Sequence, residues 1–215
     1  FDNLLRETNV YLVTGYIDFT EKNSYENRAG LFAPNGELIG SYTKAHHAPF
    51  DNDTFPVGTS FPSYETPIGT IGMVICFDYD FQYTTRSVVM SGADILAVPE
   101  WQFGRLGRIA EQQKLIFRAV ESRVPAVSAD LAWTSIIVAA NGRVVAENDE
   151  ATTEGEPGLL IGDVRLGPRD APTMKWGNWV GTFAMAGTAG LLVGAGTLAL
   201  RERRRRPSGT PLAAE

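Results

Sequence analysis

The sequence predicts an α/β layered fold followed by a membrane helix, and three observations carry that prediction. Short Val/Ile-rich runs of strand length alternate with two helical stretches, each of which returns to an apolar run. Lys44, Cys76 and Trp101 stand at the ends of such runs, where α/β proteins build their sites. Residues 179–200 then give 22 positions without a charge, enough to span a bilayer as a helix.

The elements follow in order. Residues 10–16 read as a buried strand and 28–32 as the next. Pro34-Asn35-Gly36-Glu37 is a tight hairpin turn, and residues 38–42 run back to deliver Lys44. Residues 45–64 are rich in Pro, Asp, Asn and Ser and have no regular period, so they read as a long loop. A turn at 65–69 opens the strand that ends at Cys76. Residues 81–91 read as a helix closed by Gly92, and 93–99 as a short buried strand with Glu100-Trp101 at its end. Residues 109–123 form an amphipathic helix with Ile109, Leu115, Ile116, Ala119 and Val120 inward. Residues 125–129 and 135–140 are strands, Asn141-Gly142 is a hairpin turn, and 159–164 is the last strand.

This divides the chain into a soluble domain (1–165), a Pro/Gly-bearing linker (166–178), a transmembrane helix (179–200) and a basic tail (201–215). The chain enters mid-pattern at Phe1, so the domain is expected to be incomplete at its N-terminus. The 215 residues are 44% hydrophobic, enough for a core, and carry a net charge of −6. The charge is uneven. Residues 1–200 hold 14 Lys and Arg against 23 Asp and Glu, whereas 201–206 read Arg-Glu-Arg-Arg-Arg-Arg. The acidic body excludes nucleic acid as a partner, because phosphate binding needs a basic footprint. Arginines at one end of the apolar helix and Trp176 and Trp179 at the other place the tail in the cytoplasm and the domain outside the plasma membrane. Ala186, Gly190 and Gly194 share one face of that helix, a surface that lets another membrane helix approach closely.

Cys76 is the only cysteine, so it forms no intramolecular disulfide. It is either a buried spacer or a nucleophile. His46, His47 and the aspartates at 51, 53, 78 and 80 match no metal-ligand spacing, and no metal or cofactor is expected.

Three signals occur in order: Tyr42-x-Lys44-x-His46 after a hairpin strand, Ile75-Cys76-Phe77-Asp78 about thirty residues on, then Gly92-Ala93-Asp94-Ile95-Leu96 entering a strand. With Arg118-Ala119-Val120-Glu121 they resemble the carbon–nitrogen hydrolase (nitrilase) superfamily over roughly residues 8–165. That resemblance implies an α-β-β-α sandwich with a Glu-Lys-Cys triad. Cys76 and Lys44 match two of its members, and the Glu is expected upstream of Phe1. The apolar span, its arginines and Gly177-Asn178-Trp179 resemble the C-terminal part of the apolipoprotein N-acyltransferase family. That narrower resemblance implies a multi-pass protein of a bacterial plasma membrane. It implies acyl transfer from a phospholipid, through a cysteine thioester, to the α-amino group of a lipoprotein's N-terminal cysteine. A membrane-tethered amidase or nitrilase acting on a small amide is the alternative, and a binding or scaffold domain a third.

The chain also departs from the acyltransferase pattern. The lysine loop reads Pro49-Phe50-Asp51-Asn52-Asp53 where Pro-Phe-Gly-Glu is usual, Asp78 replaces a Glu, and Val98-Pro99-Glu100-Trp101 replaces Asn-Asp-Ala-Trp. Phe50, Phe77 and Trp101 are candidates for lining an acyl-chain channel, with Asp51 and Asp78 as supporting carboxylates. Glu121 is expected to hold a buried hydrogen bond or ion pair rather than act on substrate.

Overall fold

The computed structural model describes residues 2–19, 25–49, 55–101, 105–131, 134–148 and 158–205. Two compact units result, residues 1–175 and 176–215.

In the first unit, helix α1 (Asp2–Thr8) precedes an antiparallel sheet of β1 (Leu12–Phe19), β2 (Tyr25–Phe32) and β3 (Leu38–Thr43). A second sheet has the order β4-β5-β6-β7-β8-β9. Its centre is parallel: β5 (Gly69–Met73), β6 (Ile95–Glu100) and β7 (Ala126–Asp130). Helices α2 (Gln82–Met90) and α3 (Arg105–Ser122) make the two crossovers that parallel neighbours require. Antiparallel β4 (Ser63–Thr66), β8 (Ile136–Val138) and β9 (Val144–Glu147) complete it.

Two buried clusters define the layers. Leu31, Tyr42, Met73 and Ile75 fill one, which joins the two sheets. Val74, Val88, Leu96, Leu115, Ala119 and Val138 fill the other, between the large sheet and its helices. The parallel strands are covered on both faces, which is why they read as continuous apolar runs.

Several expectations change. Leu159 and Ile161 are exposed and residues 159–164 form no strand; the last strand among the described residues is β9, folded back on β8 by the Asn141-Gly142 turn. β4 lies where the sequence reads as loop. Its turn is closed by the Thr66 hydroxyl donating to the Gly69 carbonyl at 2.6 Å, with Gly69 at φ 124°. On α3, Leu115 and Ala119 point inward, whereas Ile109 and Val120 are exposed. Residues 166–175, read as linker, are packed onto the domain. The Gly167 amide donates to the Asp94 carbonyl, Arg86 donates to the Thr173 and Met174 carbonyls, and Ala171 and Met174 enter the core.

The second unit is one long helix, α5 (Trp179–Arg205), which follows a short turn of helix, α4 (Pro172–Trp176). Its segment Trp179–Glu202 is long and apolar enough to cross a membrane, and none of it is buried.

Candidate active site

The site is built at the carboxyl ends of β3, β5 and β6. β3 ends at Thr43, and the next residue is Lys44, whose amide donates to the Asn27 carbonyl at 2.9 Å and whose carbonyl accepts the Gly58 amide at 2.8 Å. Its side chain is withdrawn from solvent, 9% exposed. Beyond β5 the chain tightens into a 3-10 turn, Cys76–Asp80, and Cys76 opens it at φ 45°. The part-buried thiol donates to the Trp101 carbonyl, 3.8 Å away, just past β6.

Asp78 joins these parts. It is fully buried. Its Oδ1 accepts the amides of Ala45 and His46, at 3.1 and 2.8 Å, and lies 3.2 Å from His46 Nδ1. Its Oδ2 accepts the Tyr42 hydroxyl at 2.8 Å and the Ile75 amide at 3.2 Å. One carboxylate therefore grips the chain on both sides of Lys44 and the residue before Cys76. Fully buried, the Asp78 carboxylate is committed to these donors.

Arg118 holds the far end of the same turn. Its Nε donates to the Tyr79 carbonyl at 2.7 Å and its Nη2 to the Asp80 carbonyl at 3.1 Å, while Nη1 pairs with Glu121. The arginine and glutamate of Arg118-Ala119-Val120-Glu121 thus brace the thiol turn. Phe77 meets Phe81 edge-to-face at 5.3 Å, and Phe81 stacks on His46 at 3.8 Å, an aromatic row beside the turn. Trp101 is 52% exposed. Phe50 and Asp51 lie outside the described residues. A cleft of about 550 Å³ is lined by Ala139, Arg143, Asp163 and Arg165 among others and includes none of these groups.

Sequence reasoning missed Glu100 as a site residue. It is buried, 9% exposed, and its Oε2 accepts the Tyr79 hydroxyl at 2.8 Å while Oε1 accepts the Ser128 hydroxyl. The available signal was a carboxylate at the C-terminal end of an otherwise apolar strand. Burial, and next the Glu100 charge, push the Cys76 thiol up to about 11; Lys44 and the backbone of Trp101 and Phe77 pull the other way. A thiolate is the nucleophilic form, and Lys44 is the cation that favours it. No group of three or more His, Cys, Asp or Glu able to hold a metal is present among the described residues.

Two facing sheets with a helical outer layer, and a thiol turn at the end of a parallel strand, match the nitrilase-superfamily fold. The amidase of Nesterenkonia sp. AN1, solved with acrylamide added at its active-site cysteine, superposes with a TM-score of 0.67 at 22% identity over 83% of this chain and 72% of that one. The carbon–nitrogen hydrolase of Helicobacter pylori superposes with a TM-score of 0.62 at 20% identity, covering 68% and 60%. The carbon–nitrogen hydrolase family profile matches residues 1–169, and this chain belongs to that family. Among curated relatives, an apolipoprotein N-acyltransferase of Geobacter metallireducens is 29% identical over 93% of this chain and 42% of its own length. A probable nitrilase of Schizosaccharomyces pombe is 30% identical over 69% of this chain and 58% of its own. The chain thus spans about half the length of these two relatives.

Proposed function

We propose that this chain is part of a membrane-bound lipoprotein N-acyltransferase. One observation carries the reading. The match to the Geobacter acyltransferase takes in 93% of the chain, a larger share than residues 1–178 make up, so it reaches into the apolar helix. The match to the fission-yeast nitrilase takes in 69%. A C–N hydrolase domain that continues into a bilayer-length helix is suited to a lipid substrate.

In this reading the Cys76 sulfur attacks the ester carbonyl of a phospholipid. A C–S bond forms, the ester C–O bond breaks, and the lysophospholipid leaves as an alcohol carrying the thiol's proton. Lys44 balances the charge on the tetrahedral oxygen. The α-amino group of a lipoprotein then attacks the thioester, an amide C–N bond forms and the thiol is restored. The base that moves these protons is assigned to the part of the relatives' length outside this chain. Residues 179–200 cross the plasma membrane with the arginines of 201–206 in the cytoplasm, and the full-length protein is multi-pass.

The nitrilase and amidase relatives favour a second reading, hydrolysis of a small amide with water as acceptor. Intact mass spectrometry of the full-length protein from membranes separates the two. A fatty-acyl increment that neutral hydroxylamine removes and Cys76→Ala abolishes supports acyl transfer. No increment after phospholipid is supplied sinks it and leaves the amidase.

A further inference from the structure

Acyl transfer by Cys76 and Lys44 leaves one buried ionisable group next to the thiol unused. Glu100 ends β6, whose other residues are Ile, Leu, Ala, Val and Pro. It bonds Tyr79, three residues past Cys76 in the same turn, and Ser128 on the neighbouring strand β7. The residue after it, Trp101, supplies the carbonyl that receives the thiol. One carboxylate therefore links the thiol turn, β6 and β7, one residue from the sulfur's own acceptor. Each carboxylate oxygen takes one hydroxyl, an arrangement that a glutamine, with one acceptor oxygen, matches only by turning one hydroxyl round to accept from its amide, and it carries the desolvation cost of a charge beside the nucleophile.

We propose that Glu100 is the positioning residue of the nucleophile: it clamps the Cys76 turn to β6 and β7 and holds the thiol in its resting, hydrogen-bonded state against the pull of Lys44. The electrostatics agree, since Glu100 and Lys44 act on the sulfur in opposite senses. The empty site is then quiet toward adventitious electrophiles. The proposal rests on Cys76 being the nucleophile, which the hydroxylamine experiment tests by itself.

The test is the pH profile of Cys76 alkylation by iodoacetamide in the full-length protein, wild type against Glu100→Gln. Glutamine removes the charge and still reaches both hydroxyls, one donating to its oxygen and the other turned to accept from its amide. The expected result is a midpoint moved to lower pH, with alkylation at pH 8 faster by about threefold to tenfold, one unit of midpoint being about tenfold in thiolate. A purely structural role changes the melting temperature and leaves the midpoint in place. An unchanged midpoint overturns the proposal, and so does slower alkylation at every pH, which would make Glu100 the thiol's base. If Glu100→Gln does not fold, Glu100→Asp withdraws the charge by one methylene and is expected to move the midpoint down by less; no movement overturns the proposal. A shifted midpoint in a protein that never acquires an acyl group would retain Glu100's role and discard only the lipid substrate.

Discussion

The Tyr42 hydroxyl donates to Asp78 Oδ2 at 2.8 Å, a bond between residues 36 apart that fastens the lysine strand to the cysteine turn. The same carboxylate holds the amides of Ala45, His46 and Ile75. Burial raises the Asp78 pKa, although these donors oppose it. A raised carboxylate pKa favours the fold below the unfolded value, and that contribution is lost as pH rises through the folded value.

Asp78→Ala strands a buried hydroxyl and three amides. It is expected to cost about 3 kcal/mol, and Asp78→Asn, which keeps one acceptor oxygen, about 1–2 kcal/mol. Urea unfolding checks both. Equal losses would mean that the acceptor oxygens are not what holds the site.

Alkylation of Cys76 should have a midpoint near 11, well above an ordinary thiol. Lys44→Met removes the cation that favours thiolate, so its midpoint should lie higher still. The raised thiol pKa also sets a sign for stability. The neutral thiol's contribution is whole below the unfolded value of about 9 and fades as pH climbs through 11.

Arg118→Lys keeps the charge and loses the fork that serves two carbonyls and Glu121 together. A melting shift corresponding to about 1.5–3 kcal/mol is expected. Wild-type melting in this variant would show that the turn does not need its brace.

Gly58 passes so close to β3 that a Cβ would lie 2.2 Å from the Thr43 carbonyl oxygen. Gly58→Ala should therefore push the chain off Lys44, costing about 1–3 kcal/mol and raising the Cys76 alkylation midpoint. Calorimetry and the alkylation profile read the two effects.

Leu192→Arg puts a charge in the middle of the apolar helix, at an expected insertion cost of about 3 kcal/mol. Carbonate extraction should leave the wild type with the membrane and shift part of the variant to the soluble fraction. Equal retention would argue against a span at this position.

The parallel centre of the large sheet was legible because β5, β6 and β7 are buried on both faces, which writes apolar runs into the chain. β4 and β9 were not. Ser-Tyr-Glu-Thr is short and polar and Val-Val-Ala-Glu is only four residues long, and they exist because turns fold them onto a neighbour. The apolar residues of 159–164 misled for the opposite reason, since hydrophobicity without a pairing partner makes no strand. In the candidate site, the placement of Lys44 and Cys76 just past the ends of β3 and β5 was legible in the apolar runs that lead to them. Glu100 was not, because its meaning depends on Tyr79 and Ser128, which other elements deliver.

Cys76 sits at φ 45°, a conformation that penalises any residue with a Cβ by about 1 kcal/mol and spares glycine. Glycine at 76 would thus suit the backbone better than cysteine does. Selection for folding alone would have drifted toward the smaller residue. A thiol held where the backbone resists a side chain is what the proposed nucleophile calls for, at a standing expense in stability.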